Sequence, residues 1–294
     1  MPTPEPIALI VNARARRGEA WFDEAKTRLR EAGVPVQSEI LVAESRHFDA
    51  AIQDAIKGSA ETIVVGGGDG TLAIAAKKLA RERKTLGVLP LGTGNAFARD
   101  LGIRTDLTHA VEVIANGNVG KVDYGVANEH IFLNLASLGL TTLVARRLRH
   151  APKAVLGPIA YAIPIFQALR LIRPFEASLR FEGDEATVRT YQVVVGNGRF
   201  HAGPFPVAPD ASIDSGEFLV YAVQAEGKGV LFKYMLGVLL GRQTELENVH
   251  VWRKPEVRIE TRPERRVVLD GEIVSDVPRD FKVVPRGLKV LMPG

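Results

Sequence analysis

The chain has 294 residues, enough for two domains that each bury a core. Its 46% hydrophobic and 24% charged residues exclude an intrinsically disordered chain, and its lack of cysteine excludes disulfides, thiolate metal sites and a thiol nucleophile. The net charge of +4 and the pI near 9.3 favour an anionic partner, but without an aromatic RNA-binding signature or zinc-ligand spacing we do not expect nucleic acid.

The first hundred residues alternate between strand and helix patterns. Residues 1–6 lack the basic start of a signal peptide, which predicts a cytoplasmic protein, and the apolar run IALIVN that follows predicts a buried strand. Apolar residues at helical spacing occupy residues 19–32, followed by a strand pattern over 34–42 and a helix pattern over 48–57. This alternation predicts a parallel α/β domain over residues 1–124.

The third strand pattern ends in a glycine turn, GGGDGT, that leads into a helix. Gly66, Gly67, Gly68 and Gly70 have no Cβ, so they can adopt positive φ and let backbone amides approach a ligand closely. The helix N-terminus beyond them favours an anion, and the turn therefore predicts a phosphate-binding loop. Asp69 would repel bare phosphate, so it either holds a bridging divalent cation or caps the turn; we favour the cation.

A second loop of the same design follows one strand later. Residues 86–90, LGVLP, predict a strand, and the glycine-rich residues 91–95, LGTGN, precede a short helix pattern. Loops at the carboxyl ends of neighbouring parallel strands meet in the crevice where such sheets bind ligands. We therefore expect the two loops to lie side by side, an arrangement more specific than either turn alone.

Beyond residue 121 the pattern changes to short strands and turns. Strand patterns flank Asn128 and Glu129 as in a hairpin, and those between residues 177 and 292 predict an antiparallel β-sandwich. We assign residues 125–282 to this second domain, with residues 283–294 as candidates to return to the first. Residues 154–169 and 229–241 are apolar and suit either core helices or a membrane interface, although Pro158 and Pro164 argue against a membrane span.

The order of the two loop motifs, GGDGT and then LPLGTGNAFARDLG, resembles the catalytic domain of the diacylglycerol kinase superfamily, in its bacterial branch related to sphingosine and ceramide kinases. GGDGT alone is shared with NAD kinases, whereas GTGN is similar to the lipid kinases. The resemblance covers nearly the whole chain. It implies an N-terminal domain like that of NAD kinases and phosphofructokinases, a C-terminal β-sandwich, and an active site in the cleft between them.

The same resemblance implies roles for individual residues, with ATP as phosphoryl donor and Mg²⁺ as the metal. The residues implied in nucleotide binding are Asn12, Gly67, Gly68, Asp69, Gly70, Thr71, Gly92, Thr93, Gly94 and Asn95. Asp69, aided through water by Asp123, would organise the catalytic Mg²⁺. The residues implied for a structural Mg²⁺ are Ser212, Asp214, Ser215 and Glu217, with Ser215 standing where the family usually has aspartate. The motif LDGE implies Glu272 as the general base, with Asp270 as second choice.

These features predict an ATP-dependent kinase that phosphorylates the hydroxyl of a membrane lipid such as diacylglycerol, as a cytoplasmic, peripherally membrane-associated enzyme of lipid metabolism and phospholipid biosynthesis. One alternative is an NAD kinase-like enzyme acting on a soluble nucleotide. Another is a nucleotide- or lipid-binding regulator that has lost catalysis, which is motivated by the altered first turn, ARARRG, by Ala96 and by Ser215. An exposed edge of the sandwich would also support a homodimer.

Overall fold

The computed structural model describes residues 5–15, 17–150, 167–200, 211–274, 277 and 279–294, apart from the side chains of residues 45, 145 and 147–150. Most of the apolar stretch 154–169, with Pro158 and Pro164, therefore lies outside the described residues. The described chain divides into two compact units. Of the described residues, those up to 124 and from 285 onward form the N-terminal unit, and those from 125 to 284 form the C-terminal unit.

The N-terminal unit is a parallel sheet with helices between its strands. Its strands are β1 (Ile7–Asn12), β2 (Val36–Val42), β3 (Thr62–Gly67), β4 (Thr85–Pro90) and the C-terminal part of β15 (Asp280–Met292). They lie in the order β2, β1, β3, β4, β15, and every neighbouring pair is parallel. Strands β3 and β4 are buried along their whole length, as strands covered on both faces should be, whereas β2 alternates at the edge.

The helices of this unit are α1 (Gly18–Glu31), α2 (Phe48–Lys57), α3 (Asp69–Glu82), α4 (Ala96–Asp100) and α5 (Leu107–Asn116), with a 3₁₀ turn at Ser45–His47 before α2. Helix α3 begins at Asp69, three residues before the predicted start at Leu72, so the first glycine loop is shorter than expected. Asp106 caps α5 by accepting from the His109 N–H at 2.8 Å. Because the connections from β3 to α3 and from β4 to α4 are short, both glycine loops lie directly at the strand ends.

The C-terminal unit is antiparallel. Its strands are β5 (Asn118–Ala127, which starts in the N-terminal unit), β6 (His130–Phe132), β7 (Leu135–Gly139), β8 (Phe175–Phe181), β9 (Asp184–Gly196), β10 (Phe218–Gln224), β11 (Val249–Lys254), β12 (Glu256–Arg262), β13 (Val267–Leu269), β14 (Glu272–Ile273) and the first part of β15. The main path runs β14, β13, β7, β9, β8, β12, β15, and β10 pairs with both β9 and β11. The predicted hairpin is confirmed, with Asn128 at φ 52° between β5 and β6.

Two helices belong to this unit, α6 (Leu140–His150) and α7 (Lys228–Leu240), with a 3₁₀ turn at Gln243–Glu245. Strand β10 is buried on both faces. Phe218, Val220 and Ala222 point into the core of the sandwich. The intervening residues of β10 pack in a second apolar cluster, together with Val230, Leu231 and Tyr234 of α7. Helix α7 is thus held against the sheet by one of its faces.

Candidate functional site

The first glycine loop joins β3 to α3 at Gly67, Gly68 and Asp69. None of Gly66, Gly67, Gly68 and Gly70 uses the positive φ that is open to glycine, and Gly68 has an extended backbone at φ −93°. Glycine is required here because there is no space for a side chain. A Cβ on Gly67 would lie 2.5 Å from the Thr71 side chain, so glycine lets the first turn of α3 close over the strand end.

The second loop joins β4 to α4 and touches the first through its backbone. A Cβ on Gly92 would lie 2.6 Å from the Gly68 Cα, and the Leu91 N–H donates to the Gly67 carbonyl at 3.0 Å. The predicted side-by-side arrangement of the loops is therefore confirmed. Because Gly68 and Gly92 carry no side chains, their backbones pass each other closely, and the N-terminus of the 14-residue helix α3 opens beside them.

The first turn, after β1, is joined to the first loop by a side-chain hydrogen bond. Asn12 Nδ2 donates to Thr71 Oγ1 at 3.1 Å, and Asn12 Oδ1 accepts from the Arg14 N–H at 3.0 Å. Gly18 lies tightly against this turn, since a Cβ there would be 2.1 Å from the Asn12 carbonyl oxygen. The structure thus brings Asn12 and Thr71 together, and the Thr71 hydroxyl keeps its own proton for a further acceptor.

Asp69 bridges the two loops. Its Oδ1 accepts from the backbone N–H of Phe97 in α4 at 3.1 Å, which is the capping role that the sequence left as the alternative to a cation. The carboxylate is half-buried, at the start of α3. Because one oxygen satisfies this cap, the second oxygen of Asp69 is the atom that could contact a cation.

Asn95 braces its own loop. It has a left-handed backbone at φ 49°, is buried, and its Oδ1 accepts from the Gly92 N–H at 2.8 Å. Both of its amide hydrogens go to backbone carbonyls, those of Pro90 and Gly92. This side chain shapes the loop rather than offering a donor to phosphate, whereas Thr93 at the loop tip is exposed.

Sequence reasoning missed Arg99. This residue of α4 is half-buried, and its Nε donates to the Gly94 carbonyl at 3.2 Å, which fastens a guanidinium to the second loop. The signal was present in the run AFARD, where a helical arginine five residues beyond a glycine can reach back to it. Arg99 adds a positive charge beside a loop predicted to meet phosphate.

Asp123 is a buried residue of β5, near the end of the part of this strand that belongs to the N-terminal unit. Its Oδ1 accepts from the backbone N–H of Arg286 at 2.7 Å, and Arg286 has a left-handed backbone at φ 50°. The carboxylate therefore fixes the bend at which β15 enters this unit. Its predicted role at a metal ion stays a prediction.

The hairpin β13–β14 carries the two acids of the LDGE motif in very different settings. Asp270, at φ 45°, accepts three backbone N–H groups: Leu133 on Oδ2 at 2.7 Å, and Asn134 and Leu135 on Oδ1, each at 2.9 Å. Glu272 is exposed and pairs in register with Leu269. Asp270 holds the hairpin against the bend that joins β6 to β7, and Glu272 is the acid that remains accessible.

The turn predicted to hold a structural metal is closed by its own hydrogen bonds. The Ser212 hydroxyl donates to the Asp214 carboxylate, and the Ser215 hydroxyl donates to the Glu217 carbonyl at 3.0 Å. Throughout the described ranges, no group of three or more His, Cys, Asp and Glu side chains is arranged to hold a metal ion. Mg²⁺ often uses one or two carboxylates together with substrate phosphates, so Asp69 still fits as a ligand in the N-terminal unit.

The α/β unit carries the paired glycine loops, and the antiparallel unit carries the acidic hairpin. Residues 6–127 match the family model for the diacylglycerol kinase catalytic domain, which makes the chain a lipid kinase by class. Residues 134–292 match the model for the YegS C-terminal NAD kinase beta sandwich-like domain. The chain belongs to the diacylglycerol kinase family.

Curated relatives and solved structures agree with this assignment. The chain is 28% identical to a diacylglycerol kinase of Staphylococcus saprophyticus, covering 79% of this chain and 77% of that protein. It is 29% identical to one of Staphylococcus haemolyticus, covering 85% and 77%. A Bacillus anthracis crystal structure, provisionally described as a diacylglycerol kinase, superposes with a TM-score of 0.80 at 26% identity over 98% of this chain and 97% of that one.

Proposed function

We propose that the protein transfers the γ-phosphoryl group of ATP to the hydroxyl of a membrane lipid, with diacylglycerol as the first substrate to test because the curated relatives carry that name. The observation that carries this proposal is the backbone contact between Gly68 and Gly92, which sets two amide-rich loops against each other beside a helix N-terminus. Phosphoryl transfer needs alignment and charge neutralisation more than covalent chemistry, and such loops supply both.

The donor side of the reaction belongs to the N-terminal unit in this proposal. Backbone amides of both loops and the Thr71 hydroxyl bind the phosphates, while Asn12 orients that hydroxyl through its 3.1 Å hydrogen bond. Asp69 would hold Mg²⁺, with Asp123 aiding it through water. When bound, Mg²⁺ neutralises charge on the transferring phosphates.

The acceptor side belongs to the C-terminal unit. Glu272 takes the proton of the lipid hydroxyl, because it is the exposed member of the acidic pair, whereas both oxygens of Asp270 already accept backbone N–H groups. The lipid is presented by the cytoplasmic surface of a membrane to which the protein binds peripherally. In the described part of the chain, no helix is long and apolar enough to cross a bilayer.

The test is an assay with labelled ATP, Mg²⁺ and a total lipid extract in mixed micelles, followed by identification of the labelled lipid. We expect one phosphorylated lipid class from the wild-type chain and none from Asp69→Asn. The asparagine oxygen can still accept from the Phe97 N–H, so this variant should keep the fold and lose the charge. Transfer to NAD without lipid would replace the proposal by a soluble nucleotide kinase, and ATP binding without any transfer would replace it by a regulator.

A further inference from the structure

Helix α7 is apolar on the side that faces solvent as well as on the side that faces the sheet. Phe232, Leu236, Leu239 and Leu240 are 73%, 49%, 54% and 65% exposed. We call these four residues the outer face of α7. Exposed apolar side chains that are scattered singly need no explanation, but a contiguous patch of a few hundred Å² marks an interaction surface.

The geometry of the helix makes the outer face continuous. At 3.6 residues per turn, positions 232, 236, 239 and 240 fall within about 100° of arc. Val230, Leu231 and Tyr234 point the opposite way, into the cluster that α7 shares with β10. Packing against the sheet therefore fixes the orientation of α7, so the outer face is already exposed in the folded chain.

Positive charge borders the outer face on both sides. Lys228 and Lys233 lie at the two limits of the exposed arc, and α7 contains no acidic residue. Arg170 and Arg173, on the neighbouring stretch that Lys228 contacts through the Arg170 carbonyl, add to this charge. Apolar side chains framed by lysines match the two layers of an anionic lipid surface, with acyl chains below and phosphate groups above.

We infer that the outer face of α7 docks the protein on an anionic lipid bilayer, with its four apolar side chains in the interfacial layer and Lys228 and Lys233 at the level of the headgroups. A helix of 13 residues is too short to span a bilayer, which needs about 20. The helix therefore lies on the surface. The choice of a lipid partner over a protein partner rests on the proposed lipid kinase function.

A second copy of the chain is a poorer occupant. A two-fold contact of α7 on α7 would bring two lysine-bordered helices together without an acidic side chain in either helix to neutralise them. A bilayer that contains anionic lipid supplies the missing negative charge. Charge complementarity thus favours the membrane.

The test is flotation of the full chain, without ATP, on phosphatidylcholine vesicles with and without phosphatidylglycerol. We expect binding to the anionic vesicles, and binding weaker by roughly tenfold or more for the double variant Phe232→Ser, Leu240→Ser, because both side chains leave the interface. Val119→Ser is the matched control: it removes an apolar side chain that is 58% exposed on β5, and it should bind as wild type.

The charge component has its own variant. Lys233→Glu leaves every apolar side chain in place, so it should fold normally and lose binding to anionic vesicles, an effect that added salt reproduces in wild type. Wild-type binding by both α7 variants, or no binding by the wild-type chain, would overturn the inference. Self-association that is lost in the variants would replace the bilayer by a second copy.

Failure of the docking surface and failure of the kinase proposal are separable. With a short-chain diacylglycerol dispersed in detergent, phosphoryl transfer does not require a bilayer, so the α7 variants should retain wild-type activity. Normal flotation without transfer in detergent would refute the kinase and leave the docking surface standing. Transfer in detergent together with unchanged flotation of the α7 variants would refute the docking surface and leave the kinase proposal standing.

Discussion

Asp270 and Glu272 stand two residues apart and meet different surroundings. Asp270 accepts three backbone N–H groups, whereas Glu272 is exposed on β14. We expect Glu272→Gln to lower kcat by roughly a hundred- to ten-thousandfold, the range for loss of a general base, with little change in ATP affinity or in thermal stability. Steady-state kinetics in mixed micelles and isothermal titration with ATP measure the two effects separately.

Asp270→Asn is the contrasting variant in the same hairpin. Asparagine tolerates the left-handed backbone at φ 45°, so the substitution isolates the hydrogen bonds. Because its amide NH₂ cannot accept from the Leu133 N–H, we expect the free energy of unfolding, measured in urea, to fall by about 1–3 kcal/mol. If Glu272→Gln keeps full turnover and Asp270→Asn abolishes it without loss of stability, the base assignment must be exchanged.

At the scale of secondary-structure elements, the contact between the two glycine loops sets a steric limit. A Cβ on Gly92 would meet the Gly68 Cα at 2.6 Å and Asn95 Oδ1 at 2.8 Å, and backbone cannot move aside as a side chain can. We expect Gly92→Ala to weaken ATP binding at least about tenfold by parting the loops, a loss that calorimetry would detect. Gly229→Ala on α7 is the control, since a Cβ there meets nothing within 4 Å.

The packing contact between β10 and α7 predicts that the stability of the fold depends on pH. Tyr221 and Tyr234 are buried with their hydroxyl oxygens 3.1 Å apart. Burial raises the pKa of Tyr234 from 10.0 to about 12 and the pKa of Tyr221 well above its ordinary value. The unfolded chain ionises these phenols near pH 10, so their contribution is fully present below that pH and is lost as the pH rises toward 12.

This contribution can be measured by urea unfolding at about pH 9 and about pH 11.5. Wild type should lose roughly 2 kcal/mol more of its unfolding free energy across this interval than Tyr234→Phe, which has no proton to lose at that position. An equal loss in both proteins would mean that Tyr234 ionises in the folded chain as readily as in the unfolded one.

Which elements the sequence predicts depends on how clearly each one is bounded. Strands β1, β3 and β4 are long apolar runs that end in glycine or asparagine turns, and all three were predicted. Strand β7 was missed: it is only five residues long and runs straight into α6 at Leu140, with Gly139 at φ 103° as the single turn residue between them. Strand β11, VHVWRK, was missed because it is polar and partly exposed, and its pairing with β10 is what makes it a strand.

In the candidate site, too, local features were predicted and features that depend on tertiary packing were not. Motif order predicted the two loops and the acidic hairpin, because glycine and aspartate at fixed spacing are local features. It gave capping by Asp69 only as the alternative to a cation and did not identify the Phe97 N–H as the group that is capped. It also did not predict that the Asn95 amide bonds to its own loop, or that Asp270 accepts from the backbone at residues 133–135. Those assignments depend on which backbone groups tertiary packing leaves in need of a partner.

At the scale of the whole molecule, the C-terminal residues of the chain complete the N-terminal unit. The last part of β15 pairs in parallel with β4, with Lys289 opposite Thr85 and Val290 opposite Leu86. Leu288 and Val290 are fully buried there. The unit that carries both glycine loops is therefore closed by residues that lie about two hundred positions further along the sequence, a distance at which local pattern carries no information.

This closure predicts that a change near the C-terminus disturbs the phosphate loops. Leu288→Ala should lower the unfolding free energy of the N-terminal unit by about 2–5 kcal/mol, since it leaves a cavity beside β4. Hydrogen exchange should speed up in β4 and in the 91–95 loop that follows it. Lys289→Ala is the matched control on the same strand, where the side chain is only half-buried and the expected change is within about 1 kcal/mol. Unchanged exchange in β4 with Leu288→Ala would mean that the parallel sheet is stable without its fifth strand.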